Sequence, residues 1–354
     1  MRVIDLTAQS ALHVRFDPSP VYDFLAALYL VRHWTPERGF DVDPAWVRAA
    51  RRALGPRLMA DAGLLLPPRS PVLGVLAVLE ETPGLSVRAA LRRLRQLSPP
   101  SLVERMLGGP TAVRPLLLPL RQAIQGDRAA LEAVVAAFPR EYDPHAVRRL
   151  LAAGPAAVHA RLLRLLRAFY TRVYAREEAR VAPLLAADVA ARQALAGVLA
   201  PADLVERVTG GFVIAPGTGI AQVLLAPTYF FRPYNLLTEY HGVRLFIYPI
   251  ELPDGREREA RPPQELVRLY KALADETRLR ILRLLSQREM YVQEIANALG
   301  VSHVTALHHL AQLRAAYLVQ AVERDNLRYY RLRPEAVREA ERRWWDFLHA
   351  EAVR

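Results

Sequence analysis

The stretch GVSHVTALHHLAQLRAAYL, residues 300–318, decides how the last quarter of this chain folds. At 3.6 residues per turn from Ser302, the side chains of Ala306, Leu310, Leu313 and Tyr317 share one side of a helix, which predicts their burial. Val304, His308 and Ala311 fall opposite, with Thr305 and Gln312 on one shoulder and His303 and Leu307 on the other. Nothing on that exposed side is bulky and charged. Ser302 suits an N-cap and leaves free backbone N–H groups where a phosphate can dock.

Working outward, YVQEIANAL (291–299) reads as a short helix with Val292, Ile295, Ala296 and Leu299 inward, stopped by Gly300. The order is helix, tight turn, helix. Beyond it, LVQAVERDNLRYYRLRP (318–334) holds two β-prone runs around Arg324-Asp325-Asn326, a hairpin wing. Upstream, PPQELVRLYKALA places Leu266, Leu269, Tyr270 and Leu273 inward, and Asp275 caps ETRLRILRLL with Leu279, Ile281, Leu282 and Leu285 toward the core. A last helix starts at Pro334 with Val337, Trp344, Phe347 and Leu348 on one face. Adjacent tryptophans cannot both face one small core, so Trp344 or Trp345 meets another surface, for which packing on the N-terminal region is one candidate.

KALADETRLRILRLL (271–285), QEIANALGVSHVTALHHLAQLRAAYLV (293–319) and RYYRL (328–332) together resemble the ArsR/SmtB-type winged-helix repressors. The resemblance implies a dimeric regulator that binds double-stranded DNA at an inverted-repeat operator, with Leu266, Tyr270, Trp344, Trp345 and Leu348 at the dimer contact. Ser302, His303, Val304, Thr305, His308 and Gln312 on the second helix are the candidate DNA contacts. Thr305 and Gln312 can hydrogen-bond base edges, and Val304 and Leu307 can touch thymine methyls. Arg324 and Arg328 on the wing suit the minor groove or flanking phosphates, and His309 suits a structural hydrogen bond or a backbone contact. Two departures stand out: Tyr317 occupies the place where the family usually has Gly, and Leu307 one where Ser is common.

The chain has no cysteine, which excludes disulfides and thiolate metal sites. The resembled family includes sensors with cysteines on the helix equivalent to residues 291–299, and others with carboxylate and imidazole ligands on the last helix. Asp346, His349 and Glu351 do not match that second spacing and read as an exposed helix end, so no metal or cofactor is expected. The net charge of +12 favours a polyanionic partner, yet residues 261–354 contribute only about +4 of it, so DNA affinity has to come from placement. The start, MRVIDLTAQS, has no basic, apolar signal pattern, and no run of about 18 uncharged apolar residues occurs, so a cytoplasmic chain without a membrane partner is expected.

The length of 354 residues calls for more than one domain. We expect a mainly α fold with small β elements, divided as 1–251 (helices plus a small sheet), 252–263 (a charged, Pro-bearing linker) and 264–354 (the winged helix). SALHVRFD (10–17) alternates as a strand, and Val21 to Trp34 follow as a helix. Further helices open at Asp43, Ser70, Ser86, Asp127 and Asp143, and the long run 155–196 should kink or restart at Pro183. Arg161, Arg164, Arg167 and Arg172 on that run read as a solvated face, with accessory phosphate contact as the alternative. GFVIAP, QVLLAPTYFF, LLTEYHG and VRLFIYPIEL should form a small sheet joined by SALHVRF, with Pro249 marking a strand near an edge.

FDPSPVYDFLAALYLV and APTYFFRPYN are similar to the uncharacterised domain that precedes some winged helices in actinobacterial-type regulators, a resemblance that brings no ligand with it. Tyr229, Phe230, Phe231 and Tyr234 can wall a pocket for a small apolar effector, or simply be core. His13, Asp17, Asp23, His33, Asp143 and His145 occur singly, without a nucleophile motif or phosphate loop, so an enzyme is not expected. The expectation is a metal-independent homodimeric repressor whose N-terminal domain senses a ligand or partner. The alternative is a non-specific architectural DNA binder or a protein-interaction scaffold.

Overall fold

The computed structural model describes residues 12–67, 84–108, 111–139, 143–214, 220–240, 243–251, 264–324 and 327–349. The expected helix from Ser70, the 252–263 linker, the Asp325-Asn326 turn and Glu351 lie outside them, as do the side chains of Val337 and Asp346. Among the described residues the fold is mainly helical with two four-stranded sheets. It separates into two compact units, one of residues 13–193 and 221–250, the other containing 194–220 and 251–354. The expected boundary at residue 251 is therefore crossed: residues 194–220 belong with the winged helix.

In the first unit, β1 (His13–Phe16) runs parallel to β3 (Gln222–Thr228), β3 parallel to β5 (Val243–Pro249), and β4 (Leu236–Tyr240) antiparallel to β5. The N-terminal run joins the sheet as expected. Pro249 lies on β5, the strand next to the edge strand β4, in keeping with the expected place near an edge. It is the last residue of a strand paired on both sides, a position where a missing N–H does no harm to the ladder.

Helix α1 (Pro20–His33) follows β1, with Ser19 accepting a hydrogen bond from Val21 N and Pro20 opening the first turn. Asp23, fully buried on it, fixes the start of the turn after β3 and the long helix pair together. Its carboxylate accepts from Thr228 Oγ1 (2.7 Å), Tyr229 N (2.7 Å), Phe230 N (3.1 Å) and Tyr174 Oη (2.7 Å). Burial pushes this carboxyl up, and the four donors oppose the shift.

Among the described residues of this unit, α2 (Pro44–Leu65), α3 (Val87–Gln96), α4 (Pro99–Gly108), α5 (Leu117–Ile124), α6 (Arg128–Ala137), α7 (Pro144–Ala153), α8 (Pro155–Phe169) and α9 (Ala175–Leu195) follow. Asp43, Ser86, Asp127 and Asp143 cap theirs. The expected interruption at Pro183 is absent, because that residue sits inside α9; the departure from α geometry is a π-turn at Tyr170–Tyr174. Its Tyr174 is the residue that reaches Asp23.

In the second unit, α10 (Pro201–Thr209) leads into β2 (Phe212–Ile214). The winged helix follows as α11 (Gln264–Leu273), α12 (Glu276–Leu285), β6 (Met290–Tyr291), α13 (Val292–Leu299), α14 (His303–Ala315), β7 (Val319–Arg324), β8 (Leu327–Leu332) and α15 (Pro334–His349). The sheet order is β2-β7-β8-β6. GFVIAP was expected in the other sheet; instead its strand lies parallel to β7, with Phe212 opposite Ala321 and Ile214 opposite Glu323. Leu279, expected inward, is 49% exposed, since Ile281 and Leu285, one turn apart, define the buried stripe and Leu279 lies 200° from Ile281.

Candidate nucleic-acid interface

Helices α13 and α14 meet at Gly300, whose φ of +67° is the left-handed conformation that ends a helix without strain. Glu294 closes the start of α13 by accepting from Tyr291 N at 3.0 Å. Ser302 caps α14, accepting from Thr305 N at 3.0 Å, with Thr305 Oγ1 at 2.8 Å from Ser302 Oγ. Ala306, Leu310 and Leu313 are fully buried, as their spacing predicts. Ser302, His303, Val304 and Thr305 are all exposed, Val304 at 62%. The first turn of α14 thus presents small side chains and N–H groups to solvent while the body of the helix is fixed in the core. Beside it, Gln293 on α13 lies 3.3 Å from His303 Nδ1 and donates to Asn297 at 2.8 Å.

Further along α14 the sequence reading and the structure diverge. His308 and Gln312 are half-buried and hydrogen-bonded to each other, Gln312 Nε2 to His308 Nε2 at 3.0 Å. Gln312 Oε1 also accepts from Arg278 Nη1. That guanidinium donates in addition to Ala272 O and Lys271 O, both at 2.6 Å, so one side chain ties the end of α11 and the start of α12 to the recognition helix. Arg278 was missed as a site residue. Its signal was there: it stands three residues after the Asp275 cap, which accepts from Arg278 N at 2.9 Å. His309 is also half-buried, 3.8 Å from Asp275 Oδ1. Burial lowers its pKa against the pull of Asp275.

The end of α14 holds the departure at Tyr317. Outside the helix, at φ +59°, this residue is 37% exposed rather than buried in the helix stripe. On the wing, the register pairs Arg324 with Leu327 and Glu323 with Arg328, which puts Arg324 and Arg328 on opposite faces of the hairpin. Arg324 is exposed and paired with Glu289 Oε2 at 2.7 Å. The Arg328 guanidinium lies 5.3 Å from the Phe212 ring, its Nε buried. Both cannot serve one surface.

Of the expected dimer contacts, Leu266 is 3% exposed and belongs to the core of its own unit. Tyr270, Trp344, Trp345 and Leu348 are exposed, Tyr270 meeting Trp344 edge-on at 5.5 Å. In the other unit, Phe230 and Phe231 are buried, Phe230 stacked on Trp46 at 4.3 Å and Phe231 against Phe40 at 5.0 Å. Tyr229 lies between the guanidiniums of Arg180 and Arg232, at 4.5 and 4.1 Å from its ring, and Tyr234 donates to Arg38 O at 2.6 Å. The four aromatics flank one turn, and two of them are core. Among the described residues, no group of three or more His, Asp or Glu side chains is placed to hold a metal ion, and no helix is long and apolar enough to cross a membrane.

Helix, left-handed glycine turn, recognition helix and antiparallel wing define a winged helix-turn-helix protein. Residues 275–321 match the family model of the bacterial regulatory proteins of the arsR family. Over 92 residues the chain is 34% identical to the cadmium resistance transcriptional regulatory protein CadC homolog of Staphylococcus aureus, covering 26% of this chain and 74% of that protein. By this C-terminal region the chain belongs to the ArsR family. It is 39% identical over 74 residues to the HTH-type transcriptional regulator KmtR of Mycobacterium tuberculosis, 21% of this chain; it spans only 57% of that regulator's length. Among solved structures, the homodimeric winged helix-turn-helix DNA-binding domain of Mb0332 from Mycobacterium bovis is 34% identical, over 28% of this chain and 91% of that one, with a TM-score of 0.22. The N-terminal region is not identified by these matches.

Proposed function

We propose that this chain is a sequence-specific, DNA-binding transcription regulator that acts as a homodimeric repressor and needs no metal ion. The observation that carries the reading is the contrast along α14: Ser302 to Thr305 exposed at its N-terminus, Ala306, Leu310 and Leu313 at zero exposure behind them. A helix held so firmly can insert its first turn into a major groove, where the Ser302 cap and free N–H groups meet phosphate, and Val304, Thr305 and His303 meet base edges. Gln312 and His308, held by Arg278, orient the helix, and Arg324 supplies a phosphate contact from the wing.

A second copy covers the exposed patch of Tyr270, Trp344, Trp345 and Leu348, and so sets two recognition helices on successive major grooves of an inverted repeat. The lack of cysteine supports metal independence. Phe230 and Phe231 belong to the core of the N-terminal unit.

Selection of bound duplexes from a random DNA pool, with the full-length protein at two salt concentrations, tests the proposal. An inverted repeat that survives the higher salt is the expected result. Enrichment of no sequence, with binding lost at the higher salt, would instead identify a non-specific architectural binder.

A further inference from the structure

The short stretch from Pro201 to Ile214 is built into the winged helix although 49 residues separate it from α11, and its contacts converge on the two parts that would read DNA. Strand β2 lies along the outer edge of β7, where Ala321 N donates to Gly211 O at 2.9 Å, and so β7 is paired on both sides. Gln320 on β7 donates to Glu206 on α10. At the exit of α14, buried Arg314 donates to Thr209 O at 3.3 Å, and its guanidinium lies 4.2 Å from the Phe212 ring, which Arg328 of the wing approaches from 5.3 Å. Phe212 thus meets a guanidinium from the recognition helix and one from the wing.

The most telling contact is between Tyr317 and Gly210. Tyr317 adopts φ +59°, a conformation that disfavours any residue with a Cβ and that glycine adopts freely. Its ring covers Gly210 so closely that a Cβ there would be 3.0 Å from Tyr317 Cε1, and Gly210 itself has φ +67°. A tyrosine with an unfavourable backbone and a glycine with no side chain form one fitted pair, joining the recognition-helix exit to the stretch beneath it. Both ends of that stretch continue into the other compact unit, at Gln193 and Ala221.

We propose that residues 201–214 are an intramolecular strap in which Phe212 and the Gly210–Tyr317 pair position the recognition helix and wing for DNA reading. The inference rests on the DNA-binding function proposed above. The strap sets the angle between helix exit and wing, and displacing it at either end changes how well the two fit one site.

The test uses full-length Phe212→Ala, Phe212→Tyr and Tyr317→Gly, with two readouts. Hydrogen exchange at the Ala321 amide reports strap docking without DNA, with the Leu310 and Leu313 amides as a check that the helix-turn-helix stays folded. Anisotropy gives the affinity ratio between the selected duplex and a scrambled one. Phe212→Ala should speed Ala321 exchange and lower the ratio about tenfold, the loss of two ring–guanidinium contacts, while Phe212→Tyr keeps both near wild type. Tyr317→Gly suits the backbone better than tyrosine, so its expected loss of ratio has to come from the missing ring. Faster exchange with an unchanged ratio in both loss variants would overturn the positioning role. Unchanged exchange in Phe212→Ala would overturn the strap itself. A wild type with no preference between duplexes overturns the DNA reading and the positioning role with it, and a protected Ala321 amide in that protein would locate the failure in the DNA reading rather than in the docking of the strap.

Discussion

Acidification should weaken the N-terminal unit through one histidine. His33 is 7% exposed on α1, its Nε2 lies 2.8 Å from Leu66 O and its ring lies 4.3 Å from that of Tyr29. A carbonyl can only accept, so Nε2 carries the proton. Burial lowers the imidazole pKa from 6.5 to about 4, with the Leu66 bond opposing and the positive charges of Arg32, Arg38 and Arg51 adding to the fall. The folded-state value is depressed, so between about pH 6.5 and pH 4 the unfolded chain takes up a proton that the folded chain refuses. Stability is present in full above that window and is lost as pH falls through it, by about 2 kcal/mol at pH 5. Urea unfolding at pH 7.5 and pH 5 measures the loss. In a Trp344→Phe/Trp345→Phe background, fluorescence comes from Trp34 and Trp46, both in this unit. The protein with His33 should lose about 2 kcal/mol more than a His33→Gln variant, whose amide can still donate to Leu66 O. Equal losses in the two proteins would refute the reasoning.

Three further outcomes are expected. Arg278→Met, which keeps the aliphatic stem but removes the donors to Ala272 O, Lys271 O and Gln312 Oε1, should destabilise the winged helix by roughly 3 kcal/mol in thermal unfolding. Arg324→Ala should weaken binding to selected and scrambled duplexes alike and reduce the salt dependence by about one counterion, measured by anisotropy across a salt series. Arg328→Ala, whose guanidinium covers Phe212 on the opposite face of the hairpin, should leave that salt dependence unchanged and speed exchange at Ala321 instead.

Most of the helix-turn-helix was legible in the sequence because its signals are local. The spacing of Ala306, Leu310 and Leu313 fixes a buried face, and Ser302, Gly300 and Asp275 fix where helices start and stop. The caps Asp43, Ser86, Asp127 and Asp143 were legible for the same reason. What failed depends on partners distant in sequence. A three-residue strand such as β2 carries too little pattern to name its neighbour, and pairing with β7 rests on backbone groups that any sequence supplies. Tyr317 was assigned to the helix stripe by periodicity, which cannot register that the helix ends at Ala315. Arg324 and Arg328 looked equivalent until the hairpin register assigned them opposite faces, and the commitment of Gln312 to Arg278 requires α12 and α14 to be packed first.

Val304→Glu tests the account most directly, because Val304 is 62% exposed on the first turn of α14 and its replacement removes no core contact. Affinity of the variant for the selected duplex, measured by anisotropy beside the wild type, is the measurement. The account predicts a loss of tenfold or more, roughly what a carboxylate set against base edges and phosphates should impose, with the thermal midpoint unchanged. Wild-type affinity in Val304→Glu would contradict it, since α14 would then not be the element that enters the groove.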